Sequence, residues 1–385
     1  MSTIIRINSP YFIRTPQESS INLDHFNIGI QIYEGLSGAS AFCSNIDTQY
    51  SLNKKPLTDE GSVSFDVSQL VKEALVQSYS NSFTNSAIYA SAWVIVITQP
   101  RDASGAALAT ATTFNFLAQE GYNLFSEGVN YTDIVSPYKG KYMMLSENYM
   151  EYYLGENIVI PIQNEEVSQV KLYNEVGNFT TITISDNGQS RQKIKYVETG
   201  TSTSVKYVGI SFVLPQGSTS TYPLKPIEEC KYPVHKIIFL NRWGALQQLF
   251  FFKKSVENIE IERDSFQRSI FEARKVTREI DDNDNCVDTY QYNVYDNKAH
   301  AKKTFLTNGR LSRTLNTGYV NELSNVYFQE LLLSEYIWMV DLRDNITRPV
   351  NVTDSSFTYK TSLNEKLINY SMTFEESAMS INNIK

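Results

Sequence analysis

A chain of 385 residues exceeds the roughly 100–200 residues of one typical domain and predicts two or three. Its formal net charge of -8 excludes a nucleic-acid-wrapping role, which needs a dense basic face to neutralise phosphates, and no apolar run approaches the roughly 18 residues of a membrane span. A charged share of only 20% beside 25 Tyr and 20 Phe is the composition of β-sandwich proteins with large surfaces.

Residues 1–118 read as an N-terminal β-sandwich. Ile28, Ile30 and Ile32 alternate with Asn27, Gly29 and Gln31, Val63 and Phe65 flank Ser64, and Trp93 to Ile97 is a continuous apolar strand. After Val67 the period changes: Asp66 can cap a short helix whose face is Leu70, Val71, Ala74 and Leu75. The small residues 101–112 suit an exposed hairpin tip. Residues 119–155 are aromatic without periodicity and read as a connecting arm that packs on its own subunit or docks on another, with Tyr142, Tyr149, Tyr152 and Tyr153 as assembly candidates.

Residues 156–262 read as a middle β-sandwich. Ile158 and Ile160, then Val170 and Leu172, mark strands, and Asp186-Asn-Gly188 signals a hairpin turn. This unit is expected to close on two apolar β-prone runs, Ile237 to Leu240 and Leu246 to Phe252, joined at Asn241, Arg242, Trp243 and Gly244, with Gly244 as the bend. The charged stretch Glu257 to Arg278 reads as a solvated boundary placed near Asp264. Residues 263–385 form a C-terminal β-rich unit with one helix, capped by Ser324 and carrying Tyr327, Phe328, Leu331 and Leu332 on one side. Strands follow at Tyr336 to Leu342, with Trp338 as a further assembly candidate, at Arg348 to Val352 extending to Phe357 and Tyr359, and at Leu367 to Phe374.

The chemistry-bearing patterns are sparse. Cys43, Cys230 and Cys286 are odd in number and far apart, so they form neither a disulfide framework nor a zinc site. Phosphate-binding glycine loops and His-Glu-x-x-His are missing, and Gly35-Leu-Ser-Gly38 lacks the spacing of a nucleophile elbow. His25, His235 and His300 would have to converge from different units to make a triad or metal centre. Asp281-Asp-Asn-Asp-Asn285 offers hard oxygen ligands for calcium, but Cys286 and Tyr292 stand where an EF-hand needs glycine and a bidentate acid, so an acidic loop is the plainer reading. Glu120 and Glu127 are the one weak carboxylate pair for glycoside hydrolysis. Catalytic, cofactor-binding and metal residues are therefore expected to be none. The opening Met1-Ser-Thr-Ile-Ile-Arg6 does not read as a signal peptide, so synthesis in a cytoplasm without export by that route is expected.

Several short motifs, taken in order, resemble virion structural proteins of tailed phages infecting Bacteroidetes, including the crAss-like group. They are Ile7-Asn-Ser-Pro-Tyr-Phe-Ile13, Ser64-Phe-Asp-Val-Ser-Gln-Leu-Val71, Glu120-Gly-Tyr-Asn-Leu-Phe-Ser-Glu-Gly128, Leu240-Asn-Arg-Trp-Gly-Ala245, Leu315-Asn-Thr-Gly-Tyr319, the stretch from Leu331 through Trp338, and Arg348-Pro-Val350. The resemblance implies tandem antiparallel β-sandwiches of immunoglobulin or fibronectin type in a tail or collar protein. It implies a non-enzymatic ring or adaptor of portal-matched cyclic symmetry, a dodecamer among the options, below the portal of a short-tailed virion. Its partners would be other tail, ring and portal proteins, with DNA passing nearby but not read in sequence, and no membrane. A receptor- or carbohydrate-binding tail module is the alternative, followed by a polysaccharide-degrading tail enzyme.

Overall fold

The computed structural model describes residues 4–34, 48–57, 61–75, 77–79, 81–83, 91–130, 143–147, 149–163, 167–184, 194–200, 205–215, 217–229, 231–268, 271–295, 300–361 and 368–378. Tyr142, Cys43, Cys230, Gly35 to Gly38 and Asp186 to Gly188 lie outside them. The fold is mainly β: several sheets pack sandwich-like, with few short helices. No helix among the described residues is long and apolar enough to cross a membrane.

The N-terminal elements are β1 (Ile4–Arg6), β2 (Phe12–Arg14), β3 (His25–Glu34), β4 (Thr48–Lys54), β5 (Ser64–Asp66), α1 (Ser68–Lys72), β6 (Ser91–Arg101) and β7 (Thr112–Gln119). They make a five-stranded sheet, β1-β7-β6-β3-β4, faced by the pair β2-β5. Period 2 on β3 sends Ile28, Ile30 and Ile32 inward against Ile13, Phe65 and Val71. α1 is shorter than expected, ending at Lys72 before Ala74 and Leu75, and its N-cap is Val67 without a side-chain cap; the Asp66 carboxylate one residue earlier accepts from Ser68 N at 2.9 Å and from Tyr11 N at 3.0 Å, giving the first helix donor a partner. Residues between β6 and β7 form the predicted hairpin tip, turned by Asp102 accepting from Ser104 N and Ala106 N.

The middle elements are β8 (Met150–Tyr153), β9 (Val159–Gln163), β10 (Gln169–Asn174), β11 (Phe179–Thr183), β12 (Ile194–Glu198), β13 (Tyr207–Leu214), β14 (Gly217–Ser218) and β15 (Tyr222–Ile227). The sheet β11-β10-β13-β15-β8, with β14 beside β13, faces the pair β12-β9 across a core that includes Val170, Leu172, Ile160, Ile162 and Phe212. The end of the aromatic arm is thus a strand, β8, parallel to β15.

The remaining elements are β16 (His235–Leu240), β17 (Leu246–Phe251), β18 (Val256–Gln267), β19 (Phe271–Ile280), β20 (Cys286–Tyr295), β21 (Lys302–Val320), α2 (Asn325–Leu333), β22 (Ile337–Asp341), β23 (Ile346–Val352) and β24 (Ile368–Glu376). Seven strands run β17-β16-β22-β23-β24-β21-β18, and β19-β20 is a separate hairpin. α2 covers one face, packing Phe328 against Phe251 and Tyr370 at ring separations of 6.3 and 4.6 Å.

Four expectations need correction. The Asn241–Gly244 hairpin does not pair with the middle sheet: β16 pairs with β22, so the hairpin is the edge of the seven-stranded sheet. Its strands are apolar on both faces because they are covered on both, by Phe328 and its neighbours on one side and by Met144, Val159 and Tyr196 on the other. The charged stretch around Asp264 is not a boundary loop, since β18 runs through it as a twelve-residue strand paired with β21. Phe357 and Tyr359 lie outside any strand and instead set their rings edge to face, 5.2 Å apart, beside α2. At α2 itself, Ser324 makes no side-chain cap; a short 3-10 turn precedes the helix, and Asn321 accepts from Leu323 N there at 3.0 Å.

Candidate functional site

The feature that gathers most polar chemistry is the turn between β16 and β17. Five residues, Asn241 to Ala245, separate the last paired residues Leu240 and Leu246. Asn241 organises the turn: its Oδ1 accepts from Trp243 N at 3.0 Å and Ala245 N at 3.1 Å, the side-chain-to-backbone pattern that suits asparagine to turns. Its Nδ2 donates outward to Met144 O at 2.7 Å and to Gln247 Oε1 at 3.0 Å. Gly244 is the bend, at φ +83.

The turn docks face to face with a second glycine turn, the segment after β7. A Cβ on Gly244 would lie 1.9 Å from Glu120 O, and one on Gly121, at φ +113, would lie 2.3 Å from Arg242 O. The two backbones approach so closely that neither position has room for a side chain. Tyr122 N donates to Arg242 O at 3.0 Å across the joint. Two sequence motifs more than a hundred residues apart are therefore the two halves of one interlock.

Charged side chains close round it. Arg242 Nη2 donates to both oxygens of Glu127, at 2.7 and 2.8 Å, a charge-assisted contact between two part-buried groups. It also lies over the Trp243 indole at 4.5 Å, and Arg6, buried, lies over the same ring at 5.5 Å. Two guanidiniums thus lie over Trp243, an arrangement favoured by the ring quadrupole. Burial first, and the neighbouring Arg242 charge second, lower the Arg6 pKa to about 9; Arg6 Nη1 donates to Gln119 Oε1 at 2.5 Å.

From the other side comes Glu330 of α2. Its Oε2 accepts from Ser146 Oγ at 2.6 Å and from Arg242 N at 3.1 Å. Burial raises its pKa to about 7 despite those bonds, while burial, and then the Glu335 charge, raise that of Glu120 to about 8. Glu120 is 1% exposed and Glu330 2%. Both carboxyls are sealed inside the joint, where burial favours the protonated form.

Of the sequence candidates, Asn241, Arg242, Trp243 and Gly244 are brought together here. Glu120 and Glu127 join them as structural partners of the turn: Glu127 ion-pairs with Arg242, and Glu120 is buried at its floor. Trp338 is half-buried on β22, stacked on Tyr336 at 6.1 Å. The arm tyrosines among the described residues make contacts within the chain. Tyr149 packs under α2, Tyr152 is buried with its hydroxyl bonded to Tyr207 N and O, and Tyr153 donates to Glu229 O. Tyr142 lies outside the described residues. Sequence reasoning missed Glu330 and Arg6. The signal for Glu330 was its spacing, three residues after Tyr327 and one before Leu331, which puts an acid on the helix face that must be covered.

The histidines stay apart: His25 lies on β3 beside Asp24, His235 is buried on β16 with its pKa lowered by burial, and His300 is exposed. Among the described residues, no group of three or more His, Cys, Asp or Glu side chains is arranged to hold a metal ion. In the β19-β20 turn, Asp281 Oδ1 accepts from Asn283 N at 3.0 Å and Asn285 N at 2.8 Å, so this carboxylate caps its own turn.

No family model matches the chain, and no curated protein matches it. A solved structure described as "Structural insight into host cell surface retention of a 1.5-MDa bacterial ice-binding adhesin" aligns over 75% of this chain and 91% of that one, at 9% identity and a TM-score of 0.13. A superposition of that quality carries no argument about fold or function.

Proposed function

We propose that the chain is a non-enzymatic structural component of a tailed-phage virion, a ring or adaptor of the short tail or collar that assembles below the portal. The observation that carries this reading is the ribbon formed by β18 to β21. Val256, Ile259, Ile261, Phe266, Val276, Ile280, Val287 and Phe305 are exposed along it, and a two-stranded ribbon cannot bury such residues by itself. A chain that packs its sheets tightly elsewhere and leaves this surface open is suited to assembly. The motifs of the resemblance support the same reading, because Leu240 to Ala245 and Glu120 to Gly128 serve as an internal interlock rather than a reactive pocket. Negative-stain images of the purified protein and of virions test it: rings are expected, and glycan turnover or glycan binding without ring formation refutes it.

A receptor- or carbohydrate-binding tail module is the second reading. It draws on Tyr290 and Tyr292, exposed on β20 with ring centroids 6.5 Å apart, since aromatic surfaces stack on sugar rings. A glycan-array signal that disappears in the Tyr292→Ala variant favours it.

A further inference from the structure

We infer that the open edges of the β18-β21 ribbon pair head to tail with the same ribbon in neighbouring copies of this chain, β18 of one against β21 of the next. The inference deepens the ring-forming reading and rests on it only for closure; the edge pairing is tested separately.

The ribbon has two usable edges. β18 ends the order of the seven-stranded sheet, so its outer edge, Val256 to Gln267, has no strand beside it among the described residues. β21 pairs with β24 only from Ser312 onward, leaving the outer edge of Lys302 to Leu311 without one as well. Twelve residues of strand present about 40 Å of unpaired backbone donors and acceptors, the kind of edge that recruits another strand.

Charge selects the occupant. β18 carries Glu257, Glu260, Glu262 and Asp264 against the single base Arg263, whereas β21 carries Lys302, Lys303, Arg310 and Arg313 and no acid. Within the chain these opposite strands already lie side by side: Glu260 faces Arg310, and Glu257 faces Arg313 with an ion pair of 2.6 Å. A two-fold pairing of β18 with β18, or of β21 with β21, would set like charges across from each other, which destabilises cross-strand pairs. Only β18 against β21 of the next copy sets acids beside bases along the open edge, where Lys302, Lys303 and Arg310 lie, and it remains antiparallel. That contact is heterologous, and a heterologous contact closes into a ring when its rotation permits.

The faces fit the same arrangement. Ile259 and Ile261 share one face with Leu311, while Asn258, Glu260 and Glu262 share the other with Asn308 and Arg310. Adding ribbons edge to edge keeps that register, so that the row of Ile259 and Ile261 of one copy continues into Leu311 of the next, with Glu257 and Arg313 at its end.

The test uses two full-length variants, each disabling one edge. Glu262 and Asp264 face Asn308 and Leu306 within the chain, and Lys302 and Lys303 face Gln267 and Phe266, so reversing these charges breaks no cross-strand ion pair. Glu262→Lys with Asp264→Lys, and separately Lys302→Glu with Lys303→Glu, should each weaken self-association roughly tenfold or more, with unchanged circular dichroism. Mixing the two should restore association, because the intact β21 edge of the first variant meets the intact β18 edge of the second and the two reversed edges are again opposite in charge, so that native mass spectrometry shows assemblies in which the two variants alternate. Assembly of either variant at wild-type concentration, a mixture that associates no better than either variant alone, or a wild-type chain that stays monomeric at its highest soluble concentration overturns the inference. Wild-type rings that persist in both variants refute the edge pairing and leave the ring reading standing. Wild-type open chains lost in both variants do the reverse.

Discussion

Gly244 and Gly105 have nearly the same left-handed backbone, φ +83 and +85, but a Cβ on Gly244 would strike Glu120 O at 1.9 Å whereas one on Gly105 meets nothing within 4 Å. Alanine at either position incurs the left-handed penalty of about 1–2 kcal/mol. At Gly244 it must also part the two turns, adding about 1–3 kcal/mol for overpacking and about 1 kcal/mol for the strained Tyr122 N to Arg242 O bond. The expected costs are therefore about 4 kcal/mol for Gly244→Ala and about 1 kcal/mol for Gly105→Ala. Urea unfolding followed by tryptophan fluorescence measures both, and hydrogen exchange at Tyr122 N reports whether the joint has opened. Equal destabilisation by the two variants, or a Tyr122 amide as protected in Gly244→Ala as in the parent, would refute the interlock.

Further predictions concern the same joint. Glu120, with its pKa raised to about 8, and Glu330, raised to about 7, hold protons in the folded chain that the unfolded chain releases above about pH 4.5. Their contribution to stability is accordingly complete below that pH and declines as pH rises to about 8; thermal unfolding of Glu120→Gln should lose most of this slope, a term on the order of 4 kcal/mol, and an unchanged slope would count against the buried acid. Trp243→Ala removes the indole under Arg6 and Arg242 and should cost about 3–5 kcal/mol, impairing folding or assembly without abolishing a catalytic activity; a soluble, fully assembling variant contradicts that. Arg242→Lys keeps the charge but loses the planar guanidinium that lies over Trp243 while reaching Glu127 and should lower stability by about 1–2 kcal/mol; an unchanged midpoint in urea unfolding would count against that arrangement.

Much of the local structure was legible because its causes are local. The alternation of Ile28, Ile30 and Ile32, the bond of Asp66 to Ser68 N at the start of α1 and the face of β24 at Ile368, Tyr370, Met372 and Phe374 depend on residues a few positions apart. Gly244 was legible as a bend for the same reason. The partner of β16 was not, because Ile237 to Leu240 are apolar in succession and period 2 gives no direction when both faces are covered. The ribbon was misread as a boundary because its charges are those of a solvated loop, and nothing in Glu257 to Arg278 reveals that Lys302 to Thr314 will pair with it. Within the candidate site, Arg242 and Trp243 stood out by type, but the burial of Glu120 came only with the docking of its turn.

What the amino-acid sequence determined by itself is the β character of the chain, the placement of strands such as β3 and β24, and the residues able to make a tight turn at Asn241 to Gly244. Those follow from side-chain periodicity and from backbone freedom at single residues. The tertiary structure alone decided that the turn interlocks with Gly121, that two guanidiniums lie over Trp243, that Glu120 and Glu330 are buried with their pKa values raised, and that an acidic and a basic strand edge are left open among the described residues. Each of these depends on residues about a hundred or more positions apart meeting at one place, or on a strand finding no neighbour, and pattern along the chain does not encode either.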